Sequence, residues 1–485
     1  MRAKLLTNAR AGLILGAAFC AGAGQALAGD WSNTGGGPRR NGYNDVLGPI
    51  AATQAWSTPE FSIIAWAPVT MGDRVFVVKE QGFPTNGGAA NDACVAYSLT
   101  NGQQLWRFTL PFSGNTSQDW IAWIAGARDG RVYASRSGNG SSVSQRMYAL
   151  DAATGAVVWQ SADVTSAGAY DGVVFAPDGD LIVADFRNVT RINSTDGATV
   201  WRVGRTGSVS GNCGGAASDS AVFIVDAVSG GHVVKKLNLA TGALQYQSPV
   251  MAGFTSQNSP FLSHDGQTVY FARSQNNQPV DNFFAFADSG SAMTLLWSRP
   301  VKWTTSHEHG VGPDGSIYTF IPADDGVTDQ FVRLNPTDGS IMASAPALNP
   351  LRSSNLSPRV AVDRSGIVYL SNGWASNPAT DGRLWAFPAD LSSTLFTLNL
   401  DRQNQGGPTL AHDGSLIVSD RAGVRAYRSN RCTADFNADT VVDFFDYLDF
   451  VAAFSANANT ADFNGDTVID FFDYLDFVAA FSAGC

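Results

Sequence analysis

One short pattern recurs eight times along the chain, at intervals of about fifty residues, and limits the folds that the chain can adopt. Each copy has an Asp-Gly or similar turn followed by a short run of β-branched and aromatic residues, as in Asp129–Tyr133. Asp-Gly supplies the positive-φ residue that a tight hairpin needs, and the residues after it favour a strand. The eight copies begin at Gly72, Asp129, Asp178, Asp219, Asp265, Asp314, Ser365 and Asp413.

A second pattern follows these turns and predicts a second hairpin in each repeat. Its best copy runs from Tyr148 through the turn Thr154-Gly155 to Trp159, so that a large aromatic residue comes four positions after a turn glycine. Two hairpins give four strands for each repeat, and four-stranded units at this period predict the blades of a β-propeller. The other clear copies place Trp106, Trp201 and Tyr246 after Gly102, Gly197 and Gly242.

The two ends of the repeat region predict how the ring closes. The last repeat stops near Tyr427 without its returning aromatic strand, and a spare strand of that kind, Thr53–Ser57 with Trp56, precedes the first repeat. We expect this N-terminal strand to complete the last blade, because pairing the chain ends removes an exposed sheet edge. The sequence thus predicts an all-β, eight-bladed propeller of four-stranded blades; seven blades, with one weak copy misassigned, is the alternative.

The pattern Ala-x-Asp-x-x-Thr-Gly-x-x-x-Trp, best matched by Ala149–Trp159, resembles the repeat of quinoprotein-type (PQQ-like) propellers over roughly residues 50 to 428. Such repeats occur in quinone-dependent dehydrogenases and in non-catalytic binding propellers. The resemblance implies that the repeated Trp packs between neighbouring blades and that the repeated Gly makes the turn. Dehydrogenases of this class are expected to carry an adjacent cysteine pair, which this sequence lacks, so PQQ is not expected.

The residues before each Asp-Gly turn are expected to approach the central mouth of the ring, because the strand nearest the axis opens each blade. Aromatic rings beside amides and imidazoles suit sugars or peptides, so the mouth is a candidate site for a polysaccharide or a protein segment. Two alternatives are packing of the Trp side chains between strands and a metal ion held by imidazoles two residues apart. The mouth candidates are Trp66, Trp120, Trp303, His307 and His309.

Residues 1–28 have the pattern of a secretory signal, with a basic start, the apolar run Ala11–Cys20 and the cleavage site Ala26-Leu27-Ala28. The run is shorter than the ~20 residues of a spanning helix. We therefore expect a secreted or cell-surface-attached protein without a membrane span. The formal charge of −11 argues against a nucleic-acid partner. An exported chain can form disulfides, but for Cys94 and Cys213 the sequence gives no indication.

The composition changes abruptly at residue 432, since residues 432–485 contain ten Asp and no Lys, Arg or His. Two acidic twelve-residue segments begin 27 residues apart, and their oxygen side chains stand at positions 1, 3, 5, 9 and 12. This is the EF-hand calcium spacing, with the position-7 carbonyl completing the shell. A solvated acidic tail is the alternative, which the many Phe, Val and Leu residues disfavour. The predicted ligands of two calcium ions are Asp435, Asn437, Asp439, Val441, Asp443 and Asp446 in loop 1 and Asp462, Asn464, Asp466, Val468, Asp470 and Asp473 in loop 2.

A short helix with an apolar face is predicted after each loop, at Tyr447–Phe454 and Tyr474–Phe481. Two loop–helix repeats without a helix before the first loop resemble a dockerin. The terminal Gly484-Cys485, with Cys432 at the start, is similar to the GC-type dockerin, and we pair these two cysteines.

The dockerin resemblance implies calcium-dependent binding of a cohesin-like domain through loop positions 10 and 11 and the helices. Those positions are Phe444, Phe445, Phe471 and Phe472. We expect at least one of these phenylalanines to pack between the two repeats instead.

The sequence thus predicts a signal over residues 1–28, a propeller over 29–430 and a small α-helical, calcium-binding dockerin over 431–485. The predicted function is an exported binding or scaffold propeller, anchored by its dockerin to an extracellular assembly. The dockerin resemblance implies a polysaccharide-processing setting. Two enzymes remain as alternatives, namely a polysaccharide-degrading hydrolase or lyase built on the propeller and a quinone-dependent dehydrogenase. No catalytic residue can be named from the sequence.

Overall fold

The computed structural model describes most of the chain beyond the predicted signal. The described residues are 29–63, 65–82, 88–114, 121–137, 144–166, 173–207, 209, 214–253, 259–273, 281–301, 309–322, 329–348, 357–374, 382–401, 406–429, 433–437, 441–464 and 468–483.

Eight antiparallel sheets of four strands each form the blades of a propeller, which confirms the predicted fold class. The fourth sheet carries one extra short strand. The strands of blades 1 to 4 are β2 Val69–Met71, β3 Arg74–Lys79, β4 Ala93–Ser98 and β5 Gln104–Thr109; β6 Ile121–Arg128, β7 Arg131–Ser137, β8 Ser144–Asp151 and β9 Val157–Ser166; β10 Val174–Phe175, β11 Leu181–Ala184, β12 Asn188–Ile192 and β13 Thr199–Gly204; β14 Gly215–Ala217, β15 Ala221–Val228, β16 Gly231–Asn238, β17 Leu244–Gln247 and β18 Met251–Ala252.

The same four-strand order continues through the second half of the ring. The strands of blades 5 to 8 are β19 Phe261–Leu262, β20 Thr268–Ala272, β21 Phe283–Asp288 and β22 Met293–Arg299; β23 Gly310–Val311, β24 Ile317–Pro322, β25 Asp329–Leu334 and β26 Ile341–Ser344; β27 Ser357–Val362, β28 Val368–Trp374, β29 Gly382–Phe387 and β30 Phe396–Leu400; β31 Gly406–Leu410, β32 Leu416–Ser419, β33 Gly423–Arg428 and β1 Thr53–Pro59.

The ring closes by pairing its N-terminal and C-terminal strands, as predicted. Strand β1 lies antiparallel to β33, with Trp56 opposite Ala426 and Thr53 opposite Arg428. The eighth blade therefore takes three strands from the end of the repeat region and one from its start, and no seven-bladed ring results. The turn glycines also have the predicted backbone conformation, since those of the Asp-Gly hairpins have φ between +51° and +90°.

Each repeated Trp packs against the turn glycine of the next blade, as the resemblance implied. A Cβ added to Gly155 would lie 2.7 Å from the Trp106 ring, so only glycine fits beneath the indole. The indole N–H also donates to the backbone carbonyl three residues before that glycine. We call this combination of an indole ring packed on a glycine and a hydrogen bond to the preceding turn a Trp lock. The Trp locks join Trp56 to Leu99 (2.7 Å), Trp106 to Ala152 (2.9 Å), Trp159 to Ser194 (3.0 Å), Trp201 to Leu239 (2.9 Å) and Trp297 to Pro336 (2.8 Å).

The stretch Trp31–Gly48, which we call the inner segment, runs along the inside of the ring. The first strand of each blade is a sheet edge facing the axis, so its outer backbone groups need partners from elsewhere. Carbonyls of the inner segment accept N–H groups of six such strands, in the order of the blades. The bonds are Thr70 to Trp31 (2.9 Å), Ala127 to Ser32 (2.8 Å), Ala217 to Pro38 (2.8 Å), Leu262 to Arg39 (2.9 Å), Val311 to Asn41 (2.8 Å) and Val362 to Gly42 (2.7 Å).

Two helices follow the ring in the chain, α1 Phe444–Ser455 and α2 Phe471–Ala483. Within the described residues, every helix is too short or too polar to cross a membrane. The core of the propeller consists of the apolar faces of adjacent blades, which the repeated aliphatic and aromatic strand residues fill. The tail has a separate apolar cluster around Phe450 and Phe477.

Candidate functional site

Each tail helix begins directly after the ninth position of a predicted calcium loop, and the aspartate at that position caps it. The Asp443 carboxylate accepts the N–H of Phe445 at 2.8 Å, and the Asp470 carboxylate accepts that of Phe472 at 2.8 Å. Asp443 and Asp446 together form a reciprocal capping box at the start of α1. The acidic spacing of the sequence therefore also sets where the two helices start.

The last aspartate of each loop is fully buried, and its carboxylate accepts hydrogen bonds from backbone N–H groups of the same loop. The Asp446 carboxylate accepts the N–H groups of Asn437 (3.1 Å) and Asp443 (2.8 Å), which stand at loop positions 3 and 9. Asp473 makes the same two bonds in loop 2, to Asn464 (3.1 Å) and Asp470 (2.8 Å). Both carboxylates have no exposed surface. The described parts of the two loops thus have the same structure.

The remaining predicted ligands are placed less completely. Asp439 and Asp466, at loop position 5, lie outside the described residues. Across the part of the chain that the structure describes, no three Asp, Glu, His or Cys side chains are grouped as a metal site would require. The calcium ligands therefore stay a prediction.

The two loop–helix repeats pack face to face around an approximate two-fold axis. The rings of Phe450 and Phe477, 27 residues apart, stack at 4.0 Å and 5° between planes. The hydroxyls of Tyr447 and Tyr474, also 27 residues apart, lie 3.2 Å from each other. Equivalent residues of the repeats therefore meet each other, and the tail has one shared core.

The four phenylalanines at loop positions 10 and 11 all point outward. Phe444, Phe445, Phe471 and Phe472 are between 63% and 65% exposed. The expectation that at least one packs between the repeats is wrong, because Phe450 and Phe477 one to two turns further along the helices fill that space. Leu448 and Leu475 extend the exposed apolar surface. Contiguous exposed apolar patches of this kind mark interaction sites.

The structure describes only part of the predicted propeller mouth. Trp66 is half-buried and Trp120, Trp303 and His307 lie outside the described residues. His309 is 3% exposed, and its ring stacks between Phe261 and Phe283 with centroids 4.9 Å from each. Its Nδ1 lies 2.9 Å from the Thr319 hydroxyl. His309 is therefore packed among the aromatic residues of blade 5 and not in an open mouth.

Charged residues at the end of the second strand in blades 2 and 5 form hydrogen bonds to the segments that connect one blade to the next. The Arg136 guanidinium donates to the carbonyls of Leu110 and Pro111 and to the Asp92 carboxylate, at 2.8 to 2.9 Å. Arg273 donates to the carbonyls of Met251 and Gly253, each at 3.0 Å. These residues were not predicted, although Arg136 and Arg273 each stand three residues after the aromatic residue of the repeated pattern, Tyr133 and Tyr270.

Burial shifts the pKa values of three charged side chains in blade 1, Lys79, Glu80 and Asp92. Burial raises the pKa of Asp92 to about 6, while Arg136 opposes that shift. Burial lowers the pKa of Lys79 to about 8 and raises the pKa of Glu80 well above its usual range. Lys79 and Glu80 have no exposed surface, so both side chains are part of the packed interior of blade 1 and do not reach solvent.

The cysteines give no described disulfide. Burial raises the pKa of the Cys94 thiol to about 12, and Cys94 is unpaired among the described residues. Cys213 and the predicted pair Cys432 and Cys485 lie outside those residues.

Residues 89–345, a little over half of the chain, match a PQQ-type repeat family model described as outer membrane protein assembly factor BamB. No curated protein matches the sequence. Quinohemoprotein alcohol dehydrogenase from Comamonas testosteroni has a similar structure, with 11% identity, a TM-score of 0.56, and coverage of 84% of this chain and 82% of that one.

Two further solved structures have similar values. Quinohemoprotein alcohol dehydrogenase ADHIIG from Pseudomonas putida HK5 has 12% identity, a TM-score of 0.55, and coverage of 86% of this chain and 82% of that one. BamB from Moraxella catarrhalis has 14% identity, a TM-score of 0.49, and coverage of 79% of this chain and 98% of that one. At these identities the likeness to the two dehydrogenases concerns the fold alone.

Proposed function

This chain belongs to the PQQ-type repeat family whose model is described as outer membrane protein assembly factor BamB, and from that premise we propose that it is an exported binding or scaffold propeller. Its tail, residues 431–485, is a dockerin that anchors the propeller, residues 29–430, to a cohesin-like domain in an extracellular, polysaccharide-processing assembly. The tail holds two calcium ions, one in each loop.

The observation that carries the proposal is the burial of Asp446 and Asp473 at equivalent places in two repeated loops. A buried carboxylate is costly unless a cation or hydrogen bonds compensate its charge. Backbone N–H groups compensate part of it, and residues 432–485 contain no Lys, Arg or His that could supply the rest. Oxygen ligands at EF-hand spacing fit Ca²⁺, which supplies the missing positive charge and binds the loop.

The exposed phenylalanines support the partner half of the proposal. Phe444 and Phe445 at the start of α1, and Phe471 and Phe472 at the start of α2, present apolar surface directly after the loops. Calcium binding would fix the loop ends and therefore the helix starts that carry these residues. Docking to the partner thus depends on the ion.

Calorimetric titration of the calcium-free chain with Ca²⁺ tests the proposal. We expect two ions bound per chain in the wild type and one in Asp446→Asn, whereas Asp449→Asn, an exposed helix residue, keeps two. Circular dichroism follows the same samples, and EDTA should remove helical signal equivalent to α1 and α2. Absence of Ca²⁺ uptake together with an unchanged spectrum after EDTA would overturn the anchor.

Assays of catalytic turnover distinguish a binding propeller from the two enzymatic alternatives. A binding module releases no reducing ends from polysaccharides and reduces no dye with alcohols, even when PQQ and Ca²⁺ are supplied. A hydrolase or lyase gives the first signal, and a quinone-dependent dehydrogenase gives the second. Either signal from the purified chain would replace the binding role with an enzymatic one.

A further inference from the structure

A cleft of about 560 Å³ lies on blade 8, next to the strand that closes the ring, and Asp401 from the end of blade 7 also lines it. Its volume falls within the range of roughly 300–1,000 Å³ that small-molecule sites occupy. None of its residues was among the predicted mouth candidates. The lining residues are Pro59, Glu60, Phe61, Asp401, Arg421 and Ala422.

The walls of the cleft are held by backbone hydrogen bonds. The N–H of Glu60 donates to Ala422 and that of Ser62 to Arg421, each at 3.0 Å, which extends the pairing of β1 with β33. The buried carboxylate of Asp420 accepts the N–H of Asp401 at 3.0 Å and that of Ala422 at 2.9 Å. The three chain segments that form the cleft are therefore fixed before any ligand arrives.

The chemistry of the lining combines one aromatic ring with two charged hydrogen-bonding groups. The Phe61 side chain is 43% exposed, and the Arg421 guanidinium lies over one face of its ring, with its central carbon 5.1 Å from the ring centre. Asp401 is exposed beside them. An aromatic surface next to a planar donor and a carboxylate acceptor is suited to a ring with apolar C–H groups and several hydroxyls.

The charges of the cleft balance. The Glu60 carboxylate is engaged by Arg107 and by the Tyr97 hydroxyl, so it adds no free negative charge. Arg421 and Asp401 then leave one positive and one negative group facing the ligand. Because these two charges balance, the cleft has no net charge that would attract an anion or a cation, and it suits a neutral ligand.

We propose that this cleft binds a neutral pyranose unit of a polysaccharide. The C–H groups of the sugar lie against the exposed part of the Phe61 ring that Arg421 does not cover, and its hydroxyls bond to the Arg421 guanidinium and the Asp401 carboxylate. For its ligand class the inference rests on the polysaccharide setting proposed above. The location of the site rests only on the shape and the lining residues of the cleft.

Saturation-transfer NMR and calorimetry on the full chain test the inference, with methyl β-glucoside, cellobiose and xylobiose as probes. We expect saturable binding of at least one neutral sugar at millimolar concentration, and weaker binding of glucuronate and glucosamine. Phe61→Ala and Arg421→Ala should each lower the affinity at least tenfold. Leu395→Ala is the matched control, since it truncates an exposed apolar side chain on blade 7 outside the cleft.

Two further measurements keep the outcome unambiguous. Near-ultraviolet circular dichroism shows whether each variant keeps the wild-type fold, which the exposure of Phe61 predicts. Sugar binding should persist in EDTA, so a failed calcium anchor and a failed cleft give different results. Absence of saturable binding by every neutral probe, or wild-type affinity in folded Phe61→Ala, would overturn the proposal. Binding of a peptide in place of sugars would overturn it as well.

Discussion

The indole N–H of Trp56 donates to the backbone carbonyl of Leu99 at 2.7 Å, and this bond joins the last blade of the ring to the first. The Trp56 ring also lies against Gly102, where an added Cβ would approach it to 2.4 Å. Four other tryptophans repeat the arrangement between consecutive blades. Trp56, however, lies on the N-terminal strand that completes blade 8, and Leu99 lies in blade 1. This Trp lock therefore stabilises the closure of the ring.

Trp56→Ala should destabilise the propeller by about 3–5 kcal/mol, because it removes a buried ring at the closing strand. Trp56→Phe keeps most of the apolar contact and loses the hydrogen bond, so it should cost about 1 kcal/mol. Urea unfolding followed by tryptophan fluorescence measures both values. Trp159→Phe is the control for the same lock away from the ring closure. A Trp56→Ala variant as stable as the wild type would contradict the role in ring closure.

Gly42 is predicted to be essential to the inner segment. Its φ is +65°, and an added Cβ would lie 2.7 Å from the carbonyl oxygen of Val360 and 3.0 Å from that of His309. Gly42→Ala therefore introduces backbone strain and a clash inside the ring, and we expect a loss of at least 1–3 kcal/mol. Gly37→Ala is the matched control, since nothing lies within 4 Å of its added Cβ. Equal thermal unfolding temperatures for the two variants would contradict this role.

The sequence predicted the blades, the closing strand and the Trp locks because each depends on residue types that repeat at a fixed spacing. The inner segment was not predicted, since it acts through backbone carbonyls such as those of Pro38 and Gly42, which any sequence carries. The cleft was missed for another reason. Phe61 and Arg421 are 360 positions apart in the chain, and only the closed ring brings them together.

The same limit applies in the tail, where the spacing of the aspartates was visible but their burial was not. A twelve-residue pattern identified Asp446 as the last loop position without showing that it binds the backbone of Asn437. The pattern also gave no basis for choosing which phenylalanines are exposed. Phe445 and Phe450 both occur in an apolar run, and only the packing of the two helices places one outside and the other in the core.

His232 should make the propeller sensitive to acid between about pH 4 and pH 6.5. Burial, with a smaller contribution from Arg273, lowers its pKa to about 4. The unfolded chain therefore binds more protons in that interval, so the free energy of unfolding falls as the pH falls, by about 3 kcal/mol at most. His232→Gln removes this proton and should flatten the dependence. Urea midpoints from pH 4 to pH 7 that fall equally in wild type and variant would contradict the prediction.

Asp288 should support the blade 4–5 contact where the repeated Trp is replaced by Tyr246. Its carboxylate bonds to Lys236 Nζ at 2.7 Å and to the Tyr246 hydroxyl. Burial alone would raise the pKa of Asp288, but these two bonds lower it. The contribution is therefore present above about pH 4 and disappears as the pH falls through the folded pKa. Asp288→Asn should cost about 1–2 kcal/mol at pH 7, and this cost should shrink as the pH falls through the folded pKa of Asp288, as measured by urea unfolding.

Phe450→Ala and Phe445→Ala should separate the folding of the tail from its docking. Phe450 has no exposed surface and stacks on Phe477 at 4.0 Å, so its truncation should cost about 3–5 kcal/mol and abolish the helical signal of a small module. Phe445 is 64% exposed, and its truncation should leave Ca²⁺ uptake and helicity unchanged while weakening cohesin binding at least tenfold. Calorimetry with Ca²⁺ and then with a panel of purified cohesin domains measures both. If Phe445→Ala bound every cohesin as the wild type does, the exposed pairs would not be the docking surface.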